Sequence, residues 1–206
     1  MAYPVANPQL TQTITQLKSE TDLIPPARKQ TLERLADYIR QQKQRGAVHL
    51  NFICTHNSRR SHLAMIWAAV AAAEYGLEGV HTYSGGTEAT AFNSRAVAAL
   101  ERIGFRVDKP GGDNPRYAVR FSDEQPALIC YSKTFDDPAN PIKDFAAIMT
   151  CSDADENCPF IPGVDLRLPL TYEDPKTADD TPKEGERYEE RAWQIGRELL
   201  YAFALV

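Results

Sequence analysis

No apolar run in the 206-residue chain approaches the roughly 18 residues that a membrane-spanning helix needs. Its start lacks a basic stretch followed by an apolar core, so no secretory leader is expected. Nor is there a basic stripe: 23 Lys and Arg stand against 28 Asp and Glu, a net charge of −5. That balance argues against a nucleic-acid partner, although a local pocket can still draw in an anion. Four cysteines are too few for a disulfide scaffold, and in a reducing compartment grouped cysteines point to chemistry or metal. Internal repeats and low-complexity tracts are absent. What is present is an ordinary soluble composition, 43% apolar and 25% charged, in a length that suits one domain with an added arm. Such a chain is expected in the cytoplasm, away from membranes.

Residues 1–46 read as a helical arm. Asn7-Pro8 resembles an N-cap with proline at the first helical position, and Leu10, Ile14 and Leu17 share one face. Pro25-Pro26 interrupts the pattern. A second helix then carries Leu32, Leu35, Ala36 and Ile39 at core-facing spacing, with Gly46 as its stop. This arm is expected to pack on the remainder of the chain or to join two copies of it.

Residues 47–206 read as one catalytic domain. Val48 to Ile53 is a short strand, Ser61 to Tyr75 an apolar helix, Val80 to Tyr83 a second strand, and Asn93 to Ile103 a helix ended by Gly104. Residues 107–126, rich in Gly, Pro and Asp, read as an insertion or long loop. Residues 127–131 and 146–150 are two more runs of strand length. Thr181, Pro182 and Glu184 resemble a capping box before a last helix whose stripe is Tyr188, Ala192, Ile195, Leu199 and Phe203. Strands alternating with helices imply an α/β fold with a mainly parallel sheet.

The sharpest feature is the loop Cys54-Thr55-His56-Asn57-Ser58-Arg59-Arg60-Ser61, a Cys-x5-Arg-Ser sequence between a strand and a helix. That placement gathers loop N–H groups and a helix N-terminus around one point, which makes an anion cradle. Cys54 at its floor would face donors that favour an anionic sulfur. Arg60 offers a planar fork matched to a tetrahedral oxyanion. Asn57 is placed to brace the loop, and Ser61 to hydrogen-bond the sulfur.

Cys54 to Ser61, followed by Ser84-Gly-Gly-Thr87 and Asn93-Ser-Arg-Ala-Val97, resembles the low-molecular-weight protein tyrosine phosphatase superfamily over about residues 48–204. The resemblance implies a flavodoxin-like fold with a four-stranded parallel sheet and helices on both faces. In it Thr55, His56, Asn57, Ser58, Arg59 and Ser61 line the oxyanion around Cys54 and Arg60.

A second segment separates branches of that superfamily. Thr150-Cys151-Ser-Asp-Ala-Asp-Glu-Asn-Cys158-Pro159 resembles the redox segment of thioredoxin-coupled arsenate reductases. The resemblance implies a relay in which Cys54 attacks arsenate, Cys151 displaces arsenite, and Cys158 carries the disulfide outward. The recycling partner is then thioredoxin or a similar dithiol protein, with no bound cofactor. Thiol exchange needs sulfurs that reach one another, and the polar stretch from Ser152 to Asn157 would supply the mobility. The alternatives for the pair are idle thiols or zinc. Zinc usually takes a C-x2–4-C clip, whereas the spacing here is x6 and the histidines are scattered, so no metal is expected. Cys130, within LICY, reads as a buried small hydrophobe.

A general acid is also needed, and the family supplies it as Asp-Pro in a late loop. Asp174-Pro175 has that position, with Asp137-Pro138 as the alternative. Lys176 stands where the tyrosine phosphatases often carry a substrate-stacking aromatic, which weighs against phosphotyrosine. Met65 stands where some arsenate reductases carry a carboxylate of a potassium site, which weighs against that ion. Three functions compete: arsenate reductase, phosphatase acting on phosphate monoesters through a Cys54 phosphoenzyme, and a non-catalytic oxyanion or thiol sensor. Cys54, Arg60 and Asp174 together argue against the sensor, and the Cys151/Cys158 pair favours the reductase.

Overall fold

A computed structural model describes residues 7–157 and 160–206. The first helix, α1 (Pro8–Ser19), opens as its sequence suggests: Asn7 accepts the Gln9 N–H and proline fills the first turn. A single 3-10 turn leads to α2 (Pro26–Lys43). The α/β pattern follows as β1 (Val48–Cys54), α3 (Arg60–Glu74), β2 (Val80–Gly86) and α4 (Ser94–Ile103). Three short strands come next, β3 (Arg106–Asp108), β4 (Tyr117–Arg120) and β5 (Leu128–Cys130). Then come β6 (Phe145–Met149), α5 (Ser152–Asn157), β7 (Val164–Pro169) and the long α6 (Glu184–Ala204).

The main sheet has the order β2-β1-β6-β7, and every pairing is parallel. Alternation along the strands sends Val48, Leu50, Phe52, Ala146, Ile148 and Leu168 to one face. There they join apolar side chains of α1, α2, α3, α4 and α6 in one core. The opposite face carries a smaller cluster, Ile53, Cys54, Phe145, Ala147, Met149, Cys151, Ala154 and Ile161, under α5. Helices therefore cover both faces, but unequally. Because β2 and β6 flank β1 on opposite sides, the chain reverses direction across the sheet at β1/β6, and ligands of open α/β sheets bind at the carboxyl ends beside such a switch. Cys54 ends β1, and Cys151 follows β6 by two residues.

Residues 107–126 are not simply a loop. With 127–131 they form a separate antiparallel sheet of order β3-β4-β5. Tyr117, Val119 and Phe121 alternate inward along one edge of the main core, a period-2 signal masked by the Gly- and Pro-rich segment before it. The run 127–131 thus belongs to this second sheet, and the fourth main strand is β7, whose apolar alternation is broken by Asp165 and Arg167. The last helix starts at Glu184, and no Thr181 cap forms on it. Asp180 adopts a left-handed conformation (φ 61°), and its N–H donates to the Glu184 carboxylate at 2.8 Å. The acid of the expected box thus reaches one residue further back. Among the described residues, no helix is long and apolar enough to cross a membrane.

Candidate active site

The loop after β1 is shaped by what holds its carbonyls. Thr87 N–H donates to Cys54 O (3.1 Å), Glu88 N–H to Thr55 O (2.8 Å) and Asn93 N–H to Ser58 O (2.9 Å). Thr87 Oγ1 adds a second donor to Thr55 O at 3.1 Å. In a trans peptide the carbonyl and the next N–H point opposite ways, so carbonyls held outward leave the following N–H groups facing inward. Gly86 permits this close approach: a Cβ there would lie 2.7 Å from Asn57 N and from Thr55 O. Asn57 takes the left-handed conformation (φ 43°) at the loop's turn, which asparagine tolerates better than most residues.

Side chains complete the cradle. Cys54 Sγ lies 3.1 Å from Ser61 Oγ, and Asn57 Nδ2 donates to that same oxygen at 2.8 Å. Asn57 Oδ1 in turn accepts the Lys133 N–H at 2.9 Å. The Cys54 side is thus rigid and buried. Ser58 Oγ faces away, donating to Ala91 O at 2.8 Å, and the His56 ring is exposed, 3.6 Å from Glu88. Of these residues, Ser58 and His56 can meet an anion through their N–H groups only.

Arg60 is buried at the start of α3. Its Nη1 donates to Tyr172 O at 3.0 Å and its Nη2 to Asp174 Oδ2 at 2.8 Å, while Nε has no partner among the described residues. A buried, unpartnered guanidinium N–H costs free energy unless a ligand takes it up. Asp174 Oδ1 accepts the Lys176 N–H at 3.1 Å and lies 3.8 Å from Arg59 Nε. Arg59 does not face solvent: its Nε donates to Tyr188 Oη at 3.0 Å, and Tyr188 donates to Asp179 at 2.8 Å. Burial and the Asp179 bond push the Tyr188 phenol up to about 12, so it stays a donor at any working pH. Its place in the apolar stripe of α6 hid this role, and the one signal was tyrosine where phenylalanine or leucine would fill the core.

Asp137 is kept apart from this group. It makes a turn, accepting the Ala139 N–H at 2.9 Å. Cys151 is fully buried, 3.4 Å from Thr55 Oγ1, and accepts the Ala154 N–H at 3.4 Å. The polar stretch after it forms the short helix α5, and Arg167 donates to the Asp155 carboxylate at 2.8 Å. Cys158 lies outside the described residues. Cys130 is buried in β5, where burial pushes its thiol up to about 12. Met65 is buried within α3. Among the described residues, no group of three or more His, Cys, Asp or Glu is placed to hold a metal ion.

No protein-family model matches the chain. In sequence it is 33% identical over 112 residues to an arsenate reductase of Staphylococcus aureus (strain bovine RF122 / ET3-1), covering 54% of this chain and 66% of that protein. The chain thus spans just under two thirds of that relative's length. It is 29% identical over 126 residues to arsenate reductase 2 of Staphylococcus epidermidis, covering 60% and 76%. In structure it is similar to YwlE, solved as a mutant, from Bacillus subtilis (TM-score 0.53, 16% identity, 77% of this chain and 97% of that one). It is also similar to the low-molecular-weight protein tyrosine phosphatase of T. tengcongensis (TM-score 0.51, 16% identity, 78% and 100%). The structural likenesses establish the fold, and the sequence likenesses are to arsenate reductases.

Proposed function

From its sequence likeness to arsenate reductases and its fold, shared with low-molecular-weight phosphatases, we propose that the chain belongs to the low-molecular-weight protein tyrosine phosphatase superfamily, on its arsenate reductase branch, and that it reduces arsenate with electrons from a dithiol protein. The observation that carries this reading is the pairing of thiols: Cys54 and Cys151 sit at the carboxyl ends of neighbouring strands, in one buried cluster, with Thr55 between them. In a phosphatase the thiols beyond Cys54 would be protective or idle, whereas the relay needs them.

In this reading the loop N–H groups and Arg60 hold arsenate over Cys54. The Cys54 thiolate attacks arsenic and forms a sulfur–arsenic bond. One oxygen leaves as water, with Asp174 supplying a proton. The Cys151 thiolate then attacks Cys54 Sγ. Arsenic(V) takes up the two electrons of the broken sulfur–arsenic bond and leaves as arsenite, and a Cys54–Cys151 disulfide remains. Cys158 attacks Cys151, Cys54 is freed, and the Cys151–Cys158 disulfide passes its oxidising equivalents to a thioredoxin-like protein. Free thiols of this kind belong in a reducing compartment, so we place the protein in the cytoplasm. Ser61 steadies the sulfur, and Asn57 steadies Ser61.

The structural neighbours and Asp174 favour a second reading, in which Cys54 takes a phosphoryl group from a monoester and water releases it. One substitution tests the step that the two readings share, and two more separate them. Cys54→Ser should abolish arsenate reduction with thioredoxin, its reductase and NADPH, and also p-nitrophenyl phosphate hydrolysis, since serine ionises too weakly. Cys151→Ser and Cys158→Ser should each lose arsenate turnover and keep ester hydrolysis. Arsenate added to Cys158→Ser should trap one Cys54–Cys151 disulfide, visible by peptide mass mapping. Multiple-turnover reduction by Cys151→Ser at the parent rate would sink the relay and leave the phosphatase in front.

A further inference from the structure

One loop carbonyl is held from a different side. His56 O accepts from Ser132 Oγ at 2.9 Å and from Thr90 Oγ1 at 3.2 Å. Ser132 is buried, and its hydroxyl also accepts the Thr90 N–H at 2.8 Å. Its main chain is clamped by the exposed Asn114, whose Nδ2 donates to Ser132 O (2.8 Å) and whose Oδ1 accepts the Ser132 N–H (3.0 Å). The next residue, Lys133, donates its N–H to Asn57 Oδ1 and accepts the Gly86 N–H, both at 2.9 Å. Asn114 and Ser132 lie just before β4 and just after β5, so the second sheet carries both to the back of the loop.

We infer that Ser132, clamped by Asn114, is a positioning residue for the oxyanion. It holds the 56–57 peptide with its carbonyl outward, which sets the direction of the Asn57 N–H and keeps carbonyl lone pairs off the anion. This gives the 107–145 region a task in anion affinity. The inference rests on the oxyanion reading of the Cys54 loop and adds which residues outside the motif make that loop bind.

The test measures how much inorganic phosphate half-protects Cys54 from iodoacetate. With non-saturating iodoacetate that concentration equals the phosphate dissociation constant, whatever the rate of the bare thiol, and a purely structural role would move the melting temperature without moving this constant. A hydrogen bond to a charged group is worth roughly tenfold or more in binding, and Thr90 still holds His56 O in the variant. Ser132→Ala should therefore raise the half-protecting concentration about tenfold, and Asn114→Ala, which only loosens the clamp, about threefold. Should Ser132→Ala not fold, the exposed Asn114→Ala decides alone. Folded variants protected at the parent concentration overturn the inference and leave the oxyanion reading intact. A parent protein that phosphate does not protect at all overturns both.

Discussion

His62, two residues past Arg60, is wholly buried, its Nδ1 3.2 Å from Ser84 Oγ and its ring 4.2 Å from the Phe92 ring. Burial, with the Lys133 charge adding to it, lowers its pKa from 6.5 to about 3. The folded state therefore keeps the ring neutral while the unfolded chain binds a proton below about pH 6.5. More protons on the unfolded side mean that stability is complete above that pH and falls as pH drops toward 3. At about 1.4 kcal/mol per unit, the loss attributable to this ring between pH 7.5 and 5 is about 2 kcal/mol. Urea unfolding at the two pH values should show that His62→Gln loses about 2 kcal/mol less than the parent. Equal losses would mean that the ring is solvated or already charged. At this scale the motif spacing made Cys54, Asn57, Arg60 and Ser61 legible, because one short loop must bring them together. Asp174, which reaches Arg60, was legible only through the family's Asp-Pro position. Asp179 and Tyr188, which reach Arg59 from more than a hundred residues away, were not legible, because only the packing of α6 and the turn before it brings them in.

At the scale of elements, Gly196 shows how packing overrides propensity. Glycine in mid-helix costs about 1 kcal/mol relative to alanine, so an isolated α6 would gain from Gly196→Ala. Within the fold, a Cβ there would lie 2.7 Å from Trp67 of α3 and 2.9 Å from Leu17 of α1. Both are fully buried and cannot swing away, and overpacking of this kind costs typically 1–3 kcal/mol. The net expectation is a destabilisation of up to about 2 kcal/mol, read as a lower denaturant midpoint with an unchanged slope. A stabilised variant would show that α1 is free to shift. The same competition explains which elements were readable. Long amphipathic helices declare themselves by period and the strands β1 and β6 as short apolar runs, whereas β3, β4 and β5 have only three or four residues each. Strands that short depend on a sheet whose register no local pattern specifies.

For the whole molecule, the open matter at sequence level was where the stripes of residues 1–46 are buried. The stripe itself was plain, but an apolar face does not say whether its partner lies in the same chain. In the structure Leu10, Ile14, Leu17, Leu32, Leu35 and Ile39 are buried in the same core as α3 and α6. Burying each such side chain is worth about 1.5–3 kcal/mol, a large part of the 5–15 kcal/mol by which a typical domain is stable. Leu17 meets α6 at Gly196, so truncating it opens a cavity between helices that cannot easily collapse. Leu17→Ala should cost about 3 kcal/mol. Unfolding measured at protein concentrations an order of magnitude apart should give one midpoint for the parent and one, lower, for the variant, because the contact lies within a single chain. Were the stripe shared between two chains, the parent's midpoint would rise with concentration and Leu17→Ala would abolish that rise. That outcome would make residues 1–46 an interface, and the core described here would then be incomplete in the monomer.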